Sequence, residues 1–590
     1  MSEKVIMSGN EAVARGAYEA GVGFASAYPG TPSTEILENI AKNYKDINAR
    51  WANNEKVAVE MACGAQIGGL RTISCMKHVG MNVAADPIMT IAYIGVNGGM
   101  LIVSADDPGM HSSQNEQDNR WYSKLGRLIM LEPSDSQECK DFTKLAYELS
   151  ERFDMVVLLR LTTRVCHSKS IVTLEEPLPK HVGVYETDIA KRAMLPANAI
   201  KRHVILEENL KKAEEYSNHC PINRIEYNDK KTGIVTSGIS YQHAKEVFGD
   251  SVSYLKLGLT NPMPGEMIDE FCNACEEIIV VEEGDPFIEQ AVKARGFRCT
   301  GKDKITIQGE LDASIVQTAL TDKPLPEGYT VDEVPADRPP VLCAGCPHRG
   351  FFYSYTKFRD KLVAVGDIGC YSLGVQTPFF GEEVGICMGS GFSAPIGMAE
   401  ALEAQGDPRK VLGYLGDSTF FHSGLVSLVD AVHTNANVIL AVLDNSITGM
   451  TGHQQNAGTP IGLMGDEVHA IDVEQIIRGT GIDPDRIHVV NPQIQKDMDA
   501  AFRESIENDG LQILIVKEPC ALLKPVIKAR GNRHVEIDPE KCIGCRMCMK
   551  VACPSLAFRD GKAVVADPES CTGCGLCQQN CKFNAIVTVE

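Results

Sequence analysis

Two cysteine runs close the chain, and nothing else in its 590 residues restricts the fold as tightly. Cys542, Cys545, Cys548 and Cys553 follow C-x2-C-x2-C-x4-C-P, while Cys571, Cys574, Cys577 and Cys581 follow C-x2-C-x2-C-x3-C. The runs begin 29 residues apart, each after Asp-Pro-Glu (Asp538 to Glu540, Asp567 to Glu569), which marks an internal duplication. A C-x2-C-x2-C turn brings three thiolates to three corners of one [4Fe-4S] cube, and the fourth cysteine reaches the other cube. Cys542, Cys545, Cys548 and Cys581 are thereby assigned to one cluster, and Cys571, Cys574, Cys577 and Cys553 to the other. A pair of four-cysteine zinc sites is the alternative, but there a longer stretch normally separates the C-x2-C pairs. Cubes carry electrons singly, so something upstream must produce or consume them.

The length calls for three or four domains rather than one core. Apolar residues at 44% and charged residues at 23% are a globular composition. A formal charge of −21 excludes nucleic acid or an anionic membrane as the natural partner. The uncharged run from Pro87 to Ala105 is split by Asn97-Gly98-Gly99 into a helix-like and a strand-like half, so it reads as buried core. No apolar signal region opens the chain, which predicts a cytoplasmic protein, and there clustered cysteines hold metal rather than disulfides.

Between Leu412 and Gln454 a strand, "VLGYL", a turn, "GDS", a helical segment and a second strand, "NVILAVLDN", form a βαβ unit. Gly416-Asp417-Ser418, 25 residues, then Asp444-Asn445 puts a carboxylate and an amide at the carboxyl ends of neighbouring parallel strands, where ligands gather. Both can reach one hard cation, and Mg²⁺ binds substrate phosphates with only one or two protein carboxylates. The pattern resembles the thiamine diphosphate signature, G-D-G followed by N-N. Ser418 replaces the third glycine and Asp444 the first asparagine. The resemblance implies Mg²⁺ held by Asp417, Asn445 and the backbone oxygen of Ile447.

Thiamine enzymes also need a carboxylic group at the aminopyrimidine, where protonation favours the imino tautomer that removes the C2 proton. "NNEKVAVEMACGAQIGG" is similar to the family pattern E-x-x-A-x-x-x-A-x-G at Glu55, Ala58, Ala62 and Gly64, which makes Glu55 the activating acid. Its small residues are expected to let the helix approach the cofactor ring. Glu60 falls elsewhere on the helix and is expected solvated or paired. "YPGTPSTE" (Tyr28 to Glu35) resembles the YPxTPS segment of 2-oxoacid:ferredoxin oxidoreductases, implying that Thr31 offers an active-site hydroxyl. Thr31 or Ser33 also stands where a helix N-cap would.

With these segments in one chain, the sequence is similar over nearly its whole length to the large (alpha) subunits of indolepyruvate:ferredoxin oxidoreductases. The fold implied is α/β: two doubly wound thiamine diphosphate-binding domains, a transketolase-C-like α/β domain and a C-terminal α+β two-cluster ferredoxin-like domain. The pyrimidine-binding domain is placed at 1–185, a linker helix region at 186–225 and the transketolase-C-like domain at 226–330. The diphosphate- and Mg-binding domain follows at 335–530 and the ferredoxin-like domain at 533–590. In the last, an extra residue before Cys553 and Lys582 in place of proline depart from the ferredoxin pattern. By resemblance to pyruvate oxidoreductases, Cys343 and Cys346 in "CAGCPHRG", Cys370 in "GDIGCYSLG" and Cys520 in "KEPCALLKP" hold a third [4Fe-4S] cluster; buried structural cysteines are the alternative. His78 beside Lys77, His348, His422 and His453 lie in or near these motifs without an assigned role.

The resemblance implies oxidative decarboxylation of 2-oxo acids, arylpyruvates such as indolepyruvate among them, giving acyl-CoA, CO₂ and reduced ferredoxin. Coenzyme A is then a co-substrate and a small (beta) subunit a partner, in a hetero-oligomer of α2β2 type. Lys541, Arg546, Lys550, Arg559 and Lys582 offer positive charge to an acidic ferredoxin, or are ordinary surface charge. Two rival readings are a non-redox thiamine decarboxylase or ligase with a vestigial tail, and an electron-transfer subunit whose thiamine folds are scaffolds. Intact cluster ligands oppose the first; Asp417, Asn445 and Glu55 oppose the second.

Overall fold

A computed structural model describes residues 3–325, 328, 333–334 and 338–589. The chain divides into two compact units, Met1–Val331 with Leu463–Gly465, and Asp332–Gly462 with Asp466–Glu590. Among the described residues no helix is long and apolar enough to cross a membrane.

The first unit is built on a seven-stranded sheet in the order Leu259–Asn261, Ile129–Leu131, Val157–Thr162, Met100–Asp106, Thr72–Lys77, Phe24–Ala27, Asn48–Trp51. All pairs are parallel except the first. Met100–Asp106 is buried at every residue, the continuous apolar pattern of a strand covered by helices on both faces. The expected split of the 87–105 run is seen: helix His78–Ile94 precedes that strand.

A second, four-stranded sheet runs Glu277–Val281, Thr232–Ser237, Ser253–Leu257, Arg224–Glu226, with only the last pair antiparallel. Leu259–Asn261 leaves this part of the sequence to pair with Ile129–Leu131 of the larger sheet, where Asn261 Nδ2 donates to Leu128 O at 2.7 Å. A short segment closing another sheet's edge carries no local sequence signal. Helix Pro196–Ser217 starts with proline in its first turn, where the missing N–H costs nothing.

The second unit contains a five-stranded, wholly parallel sheet in the order Leu362–Val365, Lys410–Gly416, Val438–Asp444, Gln512–Lys517, Ile487–Val490. One face of it shares a single core with the tail: Phe351, Tyr414 and Leu443 belong with Val535, Val551, Leu556 and Ile586. The tail itself is two antiparallel ribbons, His534–Ile537 with Ile586–Val589 and Leu556–Arg559 with Lys562–Val565. Burying Val551 and Leu556 against the sheet, at about 25 cal/mol per Å² of apolar surface, fixes the tail to the unit.

Candidate functional site

In the first unit Glu55 is the first residue of helix Glu55–Ile67, capped by Asn54, whose side chain accepts from Val57 N at 2.9 Å. The Glu55 side chain is buried and lies against Gly80 of the next helix. A Cβ at Gly80 would stand 2.8 Å from Glu55 Cγ and Oε1, so this glycine makes the space the carboxyl group occupies. Ala58 and Ala62 are fully buried in the protein's own packing, and Ala58 O accepts from Ser26 Oγ at 2.7 Å. This backbone contact ties the helix to the strand Phe24–Ala27, while a Cβ at Gly64 would meet nothing within 4 Å. Glu60 is exposed and paired with Lys56 at 2.7 Å.

Thr31 follows strand Phe24–Ala27, half-buried, with its carbonyl 3.5 Å from Ser112 Oγ. Neither Thr31 nor Ser33 caps helix Thr34–Asn43 through its side chain; Ser33 Oγ turns back to Gly30 O at 2.9 Å. Lys77 lays its stem along Gly30 and donates to Ser112 O at 3.0 Å. Burial holds its ammonium below the ordinary lysine range, against the pull of the Asp107 and Glu55 carboxylates. His78 is fully buried, its Nε2 3.1 Å from Asn115 O, and burial lowers its pKa as for a core histidine.

In the second unit the βαβ segment puts Asp417 just after strand Lys410–Gly416 and Asp444-Asn445 at the end of the adjacent strand. All three side chains are buried. Asp417 Oδ2 accepts from Asn456 Nδ2 at 2.9 Å. Burial, reinforced by the Asp444 carboxylate, pushes Asp417 up to about 7, and burial raises Asp444 as well. Two buried carboxylates in mutual repulsion suit a divalent cation, which would return both to the charged form. Ile447 N donates to Asn445 Oδ1 at 3.3 Å, and Ser418 Oγ accepts from Thr448 Oγ1 at 2.9 Å, tying the two strand ends together. A Cβ at Gly416 would lie 2.8 Å from Tyr371 Cε1, so the residue before the aspartate must be glycine.

Sequence reasoning missed Asp367, a fully buried carboxylate in "GDIG" that accepts from Ile368 N and Gly389 N at 2.6 Å and Gly391 N at 3.0 Å. Burial raises it to about 6, and it organises the start of helix Ser390–Gln405. Its signal was the Gly-Asp pair after an apolar strand, the same as at Asp417.

Cys343, Cys346, Cys370 and Cys520, up to 177 positions apart, are brought together in this unit. Cys346 is raised to about 12 by burial and by Cys370 and Cys343; Cys370 is raised to about 11 by burial, Cys520 and Cys343. The group adjoins Asn445, the expected metal ligand: Cys520 N donates to Asn445 O at 2.9 Å, and a Cβ on Gly449 would touch both Cys370 Sγ, at 3.4 Å, and Asn445 Nδ2, at 3.7 Å. His453 Nε2 is 3.6 Å from Cys520 Sγ. His348 is buried edge-on to Tyr371 and pushed down to about 4 by burial, while His422 Nδ1 is 2.7 Å from Ser423 Oγ.

In the tail, one cavity is lined by Cys542, Cys545, Cys548 and Cys581, and another by Cys553, Cys571, Cys574 and Cys577. Backbone N–H groups already point at the sulfurs, Val535 N to Cys571 Sγ at 3.4 Å and Ala585 N to Cys581 Sγ at 3.3 Å. The hydroxyl of Ser555, 1% exposed and lining the second cavity, finds no hydrogen-bond partner among the described residues. Among those residues no three or more His, Cys, Asp or Glu gather around one point as a single ion requires. Thiolates ringing a cavity suit a multi-iron cube, and an orphaned hydroxyl suits its sulfides.

Three family descriptions match: "Pyruvate flavodoxin/ferredoxin oxidoreductase, thiamine diP-bdg" over residues 15–234, "Thiamine pyrophosphate enzyme, C-terminal TPP binding domain" over 367–516 and "4Fe-4S dicluster domain" over 534–582. The indolepyruvate oxidoreductase subunit IorA of Archaeoglobus fulgidus is 40% identical, the match covering 94% of this chain and 93% of that protein. The chain belongs to the IorA family. IorA subunits of Methanothermobacter thermautotrophicus (37% identical, covering 95% and 93%) and Pyrococcus horikoshii (36%, covering 94% and 92%) align as fully. Family membership thus accounts for thiamine-type segments and a dicluster tail in one polypeptide.

Proposed function

We propose that the chain is the thiamine-bearing subunit of a 2-oxoacid:ferredoxin oxidoreductase acting on arylpyruvates such as indolepyruvate. The reaction takes a 2-oxo acid, coenzyme A and two oxidised one-electron acceptors to an acyl-CoA, CO₂ and two reduced acceptors. Bound thiamine diphosphate supplies the nucleophilic carbon and electron sink that decarboxylation needs. Glu55 holds the proton at the aminopyrimidine, in a pocket kept dry by its burial and kept open by Gly80. Asp417, Asn445 and the carbonyl of Ile447 would hold Mg²⁺ and through it the diphosphate, and Thr31 offers a hydroxyl to the substrate. Cys343, Cys346, Cys370 and Cys520 would hold the first iron–sulfur cluster and the tail two more.

The observation that carries the reading is the adjacency in the second unit: the amide that would bind metal, Asn445, is hydrogen-bonded through its carbonyl to the thiol residue Cys520. A non-redox thiamine enzyme has no use for thiols there. Relatives named as subunits support a partner subunit; it would be a small one in an α2β2 complex, with ferredoxin as acceptor. Free thiols in such number among the described residues support a reducing, cytoplasmic setting for the complex. The test is Glu55→Gln in the complex reconstituted with Mg²⁺ and thiamine diphosphate. Indolepyruvate with coenzyme A should bleach the visible iron–sulfur absorption of wild type, and the variant should do so at least about 100-fold more slowly. Equal bleaching rates would remove Glu55 from the chemistry.

A further inference from the structure

Arg349 belongs to "CPHRG", after the Cys343/Cys346 loop, and is 2% exposed. Its guanidinium donates to Cys343 O at 2.8 Å and to Leu342 O on one side, and to Val551 O at 3.3 Å and Ala552 O on the other. Every one of these acceptors is a neutral carbonyl, and among the described residues no carboxylate pairs with it. Burial accordingly lowers its pKa, opposed by thiols alone: Cys553 first, then Cys346, Cys343 and Cys574. A buried cation without a counter-charge is strongly destabilising, so proteins pair it. Arg349 lines the cavity ringed by Cys553, Cys571, Cys574 and Cys577, as does Cys346. Ser555, whose buried hydroxyl has no hydrogen-bond partner among the described residues, lines the same cavity.

We infer that Arg349 is the built-in counter-charge of the iron–sulfur cluster in this cavity, and that it sets that cluster's reduction potential while clamping the tail to the Cys343/Cys346 loop. The inference rests on the proposed reading of the cavity as a cluster site. A cluster held by four thiolates is a net anion, which supplies the partner the guanidinium lacks. Reduction adds one electron and no atoms, so a fixed cation favours the reduced form and raises the potential. The guanidinium therefore makes this cluster a better electron acceptor than it would be without the charge. Its four carbonyl contacts hold the Cys343 and Cys553 loops at one separation. Ser555 would add a hydrogen bond acting in the same direction.

The experiment compares Arg349→Lys and Arg349→Gln in the complete holoenzyme, reading iron per chain and the midpoint potential of each cluster by titration followed with electron paramagnetic resonance. Gln should lower one potential so that, at a fixed solution potential, the ratio of reduced to oxidised cluster falls about tenfold, which is ~59 mV for a one-electron couple. Lys should keep most of the wild-type value, and Ser555→Ala should lower the same signal to a smaller extent. Should Gln prevent the cluster from forming while Lys allows it, the charge is again the cause. Full iron with unchanged potentials in Gln overturns the proposal, and so does an equal effect of Lys and Gln on potential or iron content. A wild-type holoenzyme without iron in the tail sinks the reading of the cavity itself, a different result from iron at unaltered potential.

Discussion

Gly80→Ala isolates the positioning of Glu55 from its chemistry. The added Cβ would lie 2.8 Å from Glu55 Cγ and Oε1 and 3.0 Å from Met76 Cβ, where ordinary contact begins at 3.4 Å. Met76 is itself fully buried on a strand of the seven-stranded sheet and cannot retreat, whereas Glu55 projects from the first turn of its helix. The carboxyl group must therefore move by at least about 0.6 Å, the shortfall in that contact. Overpacking of this kind costs about 1–3 kcal/mol, which leaves a chain of this size folded. Displacing a catalytic group by the better part of an ångström costs about 100-fold in rate. The assay is indolepyruvate-driven bleaching in the reconstituted complex, with thiamine diphosphate saturating, alongside thermal unfolding. Wild-type rate in Gly80→Ala would refute the placement of Glu55. A Gly80→Ala/Glu55→Gln double variant should be no slower than Glu55→Gln alone; additive losses would mean that Gly80 acts on something else.

Asp417, ordinarily near 3.8 and raised to about 7, makes the metal-free protein lose stability as pH rises from about 4 to about 7, because the folded state keeps a proton there that the unfolded chain releases. Urea midpoints of metal-free protein should fall across that window and flatten in Asp417→Asn or on adding Mg²⁺ with thiamine diphosphate. Arg120 is buried between Asp118 and Glu282 at 2.6 Å each, so Arg120→Ala strands two carboxylates and should lower unfolding stability by about 3–5 kcal/mol in urea denaturation. Gly345 lies at φ +68, where a Cβ would stand 2.1 Å from Thr572 Oγ1; Gly345→Ala should loosen the tail and expose the 571–577 thiols to alkylation faster than those at 542–548.

Much of this arrangement was legible because its signals are local. Three cysteines in a C-x2-C-x2-C turn must point together, and an apolar strand ending in Gly-Asp must present its carboxylate at the sheet's edge, whatever surrounds them. The helix carrying Glu55 was legible too, but not what its alanines touch: Ala58 and Ala62 look the same in sequence whether they face a cofactor or the strand at Ser26. Gly80, Asp367 and Arg349 escaped notice for the same reason. Gly80 matters through Glu55, Asp367 through Gly389 and Gly391, and Arg349 through Val551 and Ala552 as well as its own loop, and no periodicity encodes those distant partners. The edge strand Leu259–Asn261 is the backbone version, since only the larger sheet's exposed edge gives three residues a reason to be a strand.

The second unit shows why metal, thiol and tail residues are interleaved rather than strung in separate blocks. Asn445 ends the strand Val438–Asp444, and its carbonyl is bonded to Cys520, three residues past the end of the next strand. Cys370 reaches the same point through Gly449. Cys346 lies between this group and the tail, since it lines the cavity of Cys553 and precedes Arg349 by three positions. Each link is a short contact made by residues on a parallel sheet or its loops, so a change in sheet register would break every link at once. A tail joined only by a flexible linker would leave electron transfer to chance encounters; here the shared core of Val551 and Leu556 with Phe351 and Tyr414 holds the spacing. On the proposed assignment of the clusters, the apolar packing between sheet and tail would be a component of the electron path. A cavity at Leu556, costing about 2–5 kcal/mol locally as Leu556→Ala, should slow reduction of the tail more than it slows decarboxylation.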